Sequence, residues 1–151
     1  MNSRVKKIVI AVAVVAGIGA LSFIGVMGVA AVLGWSAATR AGNEAATIQN
    51  LKTLAAVEVQ YFETHNRTFG TFDQLVARGL ISSKFAGDPA IADGYVLKLS
   101  LASKPDGASS YKITADPQNA SQGTSHFYLD SDDLGIRVNS EHQASPADPF
   151  F

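Results

Sequence analysis

Between Lys7 and Arg40 the chain has no charged side chain, and residues 8–35 are almost wholly Val, Ile, Ala, Leu, Phe, Met and Gly. An α-helix rises about 1.5 Å per residue and a bilayer's hydrocarbon core is about 30 Å thick, so roughly 20 apolar residues suffice to cross it. The 28 residues of 8–35 exceed that need and predict a membrane-spanning helix with length to spare. Arg4, Lys6 and Lys7 crowd the near side of this run, while only Arg40 stands close on the far side. That asymmetry predicts a cytoplasmic N-terminus and an exported C-terminal part, with the lipid bilayer as first partner. The chain then divides into a basic stub at 1–7, a transmembrane helix at 8–35, an extracytoplasmic domain at 36–138 and a flexible tail at 139–151. A cleaved signal peptide is the rival reading, with Ala30-Ala31 or Ser36-Ala37-Ala38 as cleavage sites. Signal cores run roughly 7 to 15 residues, about half of what is present, which favours a retained span. Within it, Ala13 and Gly17 lie four apart and Gly25 two turns further on, a small-residue spacing suited to close helix contact.

The 112 residues from Arg40 to Phe151 carry nine of the twelve Lys and Arg residues and all thirteen acids, leaving a net charge of about four negative. No basic footprint for nucleic acid is present. The chain has no cysteine, which removes disulfides, thiol catalysis and thiolate metal sites together.

From Asn43 to about His65 the apolar residues Ile48, Leu51, Ala55, Val59 and Phe62 recur at spacings of three and four, with Leu54 widening the stripe. Glu44, Gln49, Lys52, Glu58 and Glu63 are assigned to the polar face of this amphipathic helix. Asn66 to Gly70 reads as a turn, and Thr71-Phe72-Asp73-Gln74 has the form of a capping box opening a short second helix. Gly79 reads as its C-terminal stop. Beyond it the period changes to two. Tyr95 to Leu101, Ser110 to Ala115, Ser125 to Leu129 and Leu134 to Val138 read as strands separated by Lys104-Pro105-Asp106-Gly107 and Asp130-Ser131-Asp132-Asp133. The expected fold is α+β: a long N-terminal helix, transmembrane then amphipathic, packed on a four-stranded antiparallel sheet.

The run Asn43 to Leu54, the Glu58-Val59-Gln60-Tyr61 segment and the Gly79-Leu80-Ile81 helix exit resemble bacterial type IV pilins and type II secretion pseudopilins. So do Gly94-Tyr95, Tyr111 with Ala115 and Pro117, and Phe127-Tyr128-Leu129-Asp130 followed by Gly135-Ile136-Arg137. The likeness covers about residues 43–138. The chain departs from the family at its N-terminus. The first glycine is Gly17, the fifth residue after it is Ser22 where the family has a glutamate, and the earliest acid is Glu44. In the family that glutamate lies in the bilayer and pairs with a neighbouring subunit's amino terminus. The resemblance implies a pilin-like structural protein on a permanent inner-membrane anchor, a minor or accessory component of a type IV pilus or type II secretion type assembly. Its partners would be other pilin-like subunits or assembly proteins. The alternative is a membrane-tethered binding or sensory module that does not polymerise.

One cluster suggests a metal. From Asp130, the segment places acids at loop positions one, three and twelve (Asp130, Asp132, Glu141) and Gly135 at six, as a calcium loop of the EF-hand type would, with Asp133 beside them. Leu134 and Arg137 at positions five and eight, and strands in place of flanking helices, favour a solvated hairpin turn instead. His65, His126 and His142 are scattered, no Gly-x-Ser-x-Gly is present, and no Gly-rich loop precedes Lys-Ser or Lys-Thr. No cofactor, small-molecule substrate or enzymatic activity is expected.

Overall fold

The structure, a computed structural model, describes residues 3–104 and 108–151, with side chains from residue 34 onward. It is a mixed fold of one long helix and a five-stranded antiparallel sheet. Helix α1 runs Ser3–Thr64 and helix α2 Phe72–Ala77, followed by a 3-10 turn at Ser83–Phe85. The strands are β1 Ala90–Ala92, β2 Tyr95–Ser103, β3 Ser109–Pro117, β4 His126–Asp130 and β5 Arg137–Asn139, paired in sequence order as an antiparallel meander. Two compact units divide the chain, residues 1–38 and 39–151; the second holds the C-terminal part of α1 and every element after it.

The expected inner-membrane anchor is not supported: among the described residues no helix is long and apolar enough to cross a membrane. In the part of α1 whose side chains are described, residues 34–64, Arg40, Glu44, Lys52, Glu58 and Glu63 recur too often to leave a long apolar window. The side chains of Arg4, Lys6 and Lys7, and of Ala13, Gly17 and Gly25, are not among those described, and neither are the others of residues 8–33.

The core forms where one face of α1 meets one face of the sheet. Leu51, Leu54 and Tyr61 pack with Tyr95, Leu97, Leu99, Tyr111, Ile113, Ala115, Phe127 and Leu129, and Phe72, Leu75 and Phe85 close the end near α2. Burial of apolar surface at roughly 25 cal/mol per Å² makes this seam the main source of stability. The buried positions of α1 are Thr47, Leu51, Leu54, Glu58 and Tyr61, again three and four apart. The face is therefore rotated by about one residue from the expected stripe. Val59 turns 41% exposed, and Glu58, expected on the polar face, turns inside.

The short helix forms as its capping box dictates. Thr71 Oγ1 accepts from Gln74 N at 3.2 Å while Thr71 N donates to Gln74 Oε1 at 2.8 Å. Gly79, at φ +69°, ends it, and Leu80 N donates back to Leu75 O.

The fifth strand corrects the expected four. Strand β1 is three residues long and joins β2 through Asp93-Gly94, both with positive φ (51° and 79°), the tight hairpin that matches strand twist. A Cβ on Gly94 would stand 2.6 Å from Gln122 Oε1 and 2.7 Å from Asn43 Nδ2, so glycine is required there by space as well as by φ. Strand β5 starts at Arg137, three residues later than expected, and Leu134 takes a left-handed φ of 55° outside the extended region. The tail is not loose. Val138 N donates to Pro149 O at 3.0 Å and Phe151 N to Ile136 O at 2.8 Å, so the last residues pair along the outer edge of β5.

Candidate functional site

The unusual chemistry of the domain sits on the α1 seam. The 3.6-residue period that buries Leu51 and Leu54 carries Glu58 in with them, and its side chain is 0% exposed. Glu58 Oε2 accepts from Gly70 N at 3.0 Å. Glu58 Oε1 has no hydrogen-bond partner, and neither does the buried hydroxyl of Tyr111 on β3. Burial pushes the Glu58 carboxyl up to about 7, although the Gly70 N–H favours the charged form. Burial, with the nearby charges of Glu58 and Asp130, pushes the Tyr111 phenol up as well.

The segment that supplies Gly70 is the turn between the two helices. Asn66 and Arg67 hold left-handed φ of 52° and 58°, while Arg67 N donates to Phe62 O and Thr68 N to His65 O. A Cβ on Gly70 would stand 2.9 Å from Leu75 Cδ2 and 3.3 Å from Tyr61 Cε1. A side chain here would have to push Leu75 and Tyr61 aside, so glycine favours the close approach by which the N–H reaches the carboxyl. Aromatic rings wall the site: Phe62 stacks on Phe69 and Phe69 meets Tyr111 edge-on, each pair with centroids 4.7 Å apart.

The acidic turn does not gather into a metal centre. Asp130 Oδ1 accepts from Asp132 N and Asp133 N, and its Oδ2 from the Tyr128 hydroxyl at 3.0 Å. Asp132 is paired with Lys104. Asp133 Oδ1 accepts from Gly135 N at 2.9 Å and its Oδ2 pairs with Arg137 at 2.6 Å; the Gly135 amide first, and Arg137 second, hold this carboxyl below its usual range. Glu141 N donates to Asn139 Oδ1, in a separate turn. Among the described residues no three His, Cys, Asp or Glu side chains stand where they could hold a metal ion. The calcium set Asp130, Asp132, Asp133 and Glu141 therefore does not fit a cation, because three of its members are spent on the turn's own backbone or on neighbouring cations.

Two polar clasps fix the domain's ends. At the first, Glu44 Oε1 accepts from Thr124 N at 2.8 Å and Ser125 N at 3.2 Å, and Asn43 Nδ2 donates to Gln122 O and Oε1, tying α1 to the β3–β4 loop. Partial burial opposes the Glu44 charge, but these hydrogen bonds win and lower its pKa. At the second, Asp148 accepts from Asn139 Nδ2 at 2.7 Å and from Ser145 N and Oγ at 2.8 Å. Arg137 Nη1 adds a bond to Asp148 O and its guanidinium lies 4.0 Å from the Phe150 ring centre. The histidines stay apart: His65 stacks on Tyr61, His126 pairs with Asp116 at 2.6 Å, and His142 lies by Asn139.

Sequence reasoning missed Glu58 and the tail clasp. For Glu58 the available signal was the 47–51–54–58–61 spacing, which fits a buried face as well as the stripe chosen. For the tail it was Phe150 and Phe151 at the end of an otherwise polar segment. No protein-family model, no curated protein and no solved structure matches this chain. The pilin and secretion-system identities suggested by residues 43–138 accordingly gain no support from known proteins.

Proposed function

We propose that this chain is a pilin-like structural protein acting through protein contacts, as a minor or accessory component of a larger assembly. The observation that supports this reading is the one-sided cover on α1. The sheet buries Thr47, Leu51, Leu54, Glu58 and Tyr61, whereas Ala45, Lys52, Ala56 and Val59 on the opposite face are left exposed. A helix held rigid by a sheet on one side and open on the other can pack against the same face of a neighbour. The absence of cysteine permits a clean test. Single-cysteine variants of the full chain, Ala45→Cys and Val59→Cys on the open helix face and Lys98→Cys on the sheet, are oxidised in intact cells. Disulfide-linked dimers at 45 and 59 but not at 98 are expected. No linked species at either helix position would reject the reading.

A second reading is a binding or sensory module that does not polymerise. It is favoured by the closed β5 edge, where residues 149–151 occupy the positions an added strand from another subunit would use. Under it, none of the three cysteine variants cross-links.

A further inference from the structure

We propose that Glu58 is a proton-operated catch: while it holds its proton it keeps the 66–70 turn seated on α1 and β3, and on losing the proton it lets that turn open to water. The geometry isolates this carboxyl. It is fully buried, one oxygen has the Gly70 amide, the other has no partner, and no ion pair among the described residues involves it. An ionised carboxylate needs several donors or a cation to remain in an apolar interior, and a single N–H is too few. A neutral carboxyl has no such need.

The groups around it supply no counter-charge. From β3 comes Tyr111, whose hydroxyl is also unpartnered. Behind it at the end of β4 stands Asp130, whose charge, like that of Glu58, bears on the Tyr111 phenol. On α1 itself Tyr61 and His65 stack on one another with centroids 3.9 Å apart. From the end of α2, Arg78 lies 5.5 Å over the Tyr61 ring. A raised carboxyl pKa agrees with this environment.

The chain offers one inexpensive route for water to reach an ionised Glu58. On the sheet side Leu51, Leu54 and Ile113 form the core, and opening it would expose them. The other side is the 66–70 turn, with two residues at left-handed φ and three exposed positions at 66–68. An open cleft of about 460 Å³ borders that turn, lined by Phe62, Asn66, Arg67, Thr68, Ser103 and Ser109, so solvent already stands on its outer side. Short segments with few buried contacts are where local opening begins.

The test is a pH titration of the full chain labelled at glutamate, following the Glu58 carboxyl carbon and the Gly70 amide by NMR. We expect a Glu58 midpoint near 7 and, between pH 6 and pH 8, a fall of about tenfold in Gly70 protection after correction for intrinsic exchange, as proton linkage requires when opening restores an ordinary carboxyl. In Glu58→Gln, which cannot ionise, Gly70 protection is expected to stay level over that range. A midpoint at or below about 5, close to that of a free glutamate, overturns the proposal. So does a midpoint near 7 with unchanged Gly70 protection, or a pH dependence that persists in Glu58→Gln. If that variant fails to fold, the unmodified chain's midpoint and protection decide alone.

Discussion

The acidic turn at 130–135 and the seam at Glu58 handle negative charge in opposite ways. The turn gathers three acids within four residues, and each is met at the surface by backbone N–H groups, a tyrosine hydroxyl, Lys104 or Arg137. The seam has one acid with a single N–H and no exposure. Density of charge in a sequence attracts attention as a binding signal, yet here the dense cluster is internally satisfied, with Asp133 held low, and the lone carboxyl is the one pushed up. What surrounds a carboxyl, and not how many lie together, sets its chemistry.

The largest effect that separates the two regions is in packing. Leu54→Ala, one turn before Glu58 on the same buried face, removes a fully enclosed side chain and is expected to cost roughly 2–5 kcal/mol. In thermal melting of the full chain that corresponds to a loss of about 10 °C or more. A loss under about 3 °C would mean that the α1 seam is not the core of the domain.

Glu58→Gln comes next and sharpens the contrast through its sign. The folded carboxyl titrates near 7, above its ordinary value of 4.5. A raised folded pKa contributes stability that is fully present below 4.5 and is lost as pH rises through 7. The variant is therefore expected to be more stable than the parent at pH 8, by up to about 3 kcal/mol, and to differ by under about 1 kcal/mol at pH 5. Denaturant melts at the two pH values check this. A variant less stable at pH 8 than at pH 5 relative to the parent reverses the sign and refutes the burial argument.

How much of this could be read beforehand depends on which interactions decide each element. The capping box at Thr71, the Gly79 stop and the alternation in β2 and β3 are local, and the structure has them as expected. The rotation of α1 is not local. The stripe through Ile48, Ala55 and Val59 and the face through Thr47, Leu54 and Glu58 share the same period, and only the shape of the sheet and the Gly70 backbone decide between them. Strand β1 was hidden by its length of three residues, although Asp93-Gly94 before Tyr95 is a strong hairpin signal. The expected span over 8–35 rested on an uncharged run and its flanking charges, and among the described residues no helix is long and apolar enough to cross a membrane.

The tail is the third region against which the comparison can be tested. Asp148→Ala removes the acceptor for Asn139 and Ser145, which in that order hold its carboxyl below the usual range. Amide exchange at Val138 and Phe151 is expected to rise several-fold, with cleavage by chymotrypsin after Phe150, while the global melting midpoint moves little, since both phenylalanines are already more than half exposed. A large drop in the midpoint would show that the tail belongs to the core cooperative unit.

The smallest effect is expected at the acidic turn. Its carboxylates are already engaged, so a calcium ion would have to displace Lys104 and Arg137 and break the hydrogen bonds to Asp132 N, Asp133 N and Gly135 N before gaining any ligand. Surface ion pairs contribute little to stability, so Asp133→Asn is expected to leave the melting midpoint within about 1–2 °C of the parent. Millimolar calcium or a chelator is likewise expected to leave the parent's midpoint unchanged, because only a ligand that binds the folded state shifts it. A calcium-dependent rise abolished by Asp133→Asn would mean that the turn rearranges around the ion and that its dense charge, after all, does more than fold the hairpin.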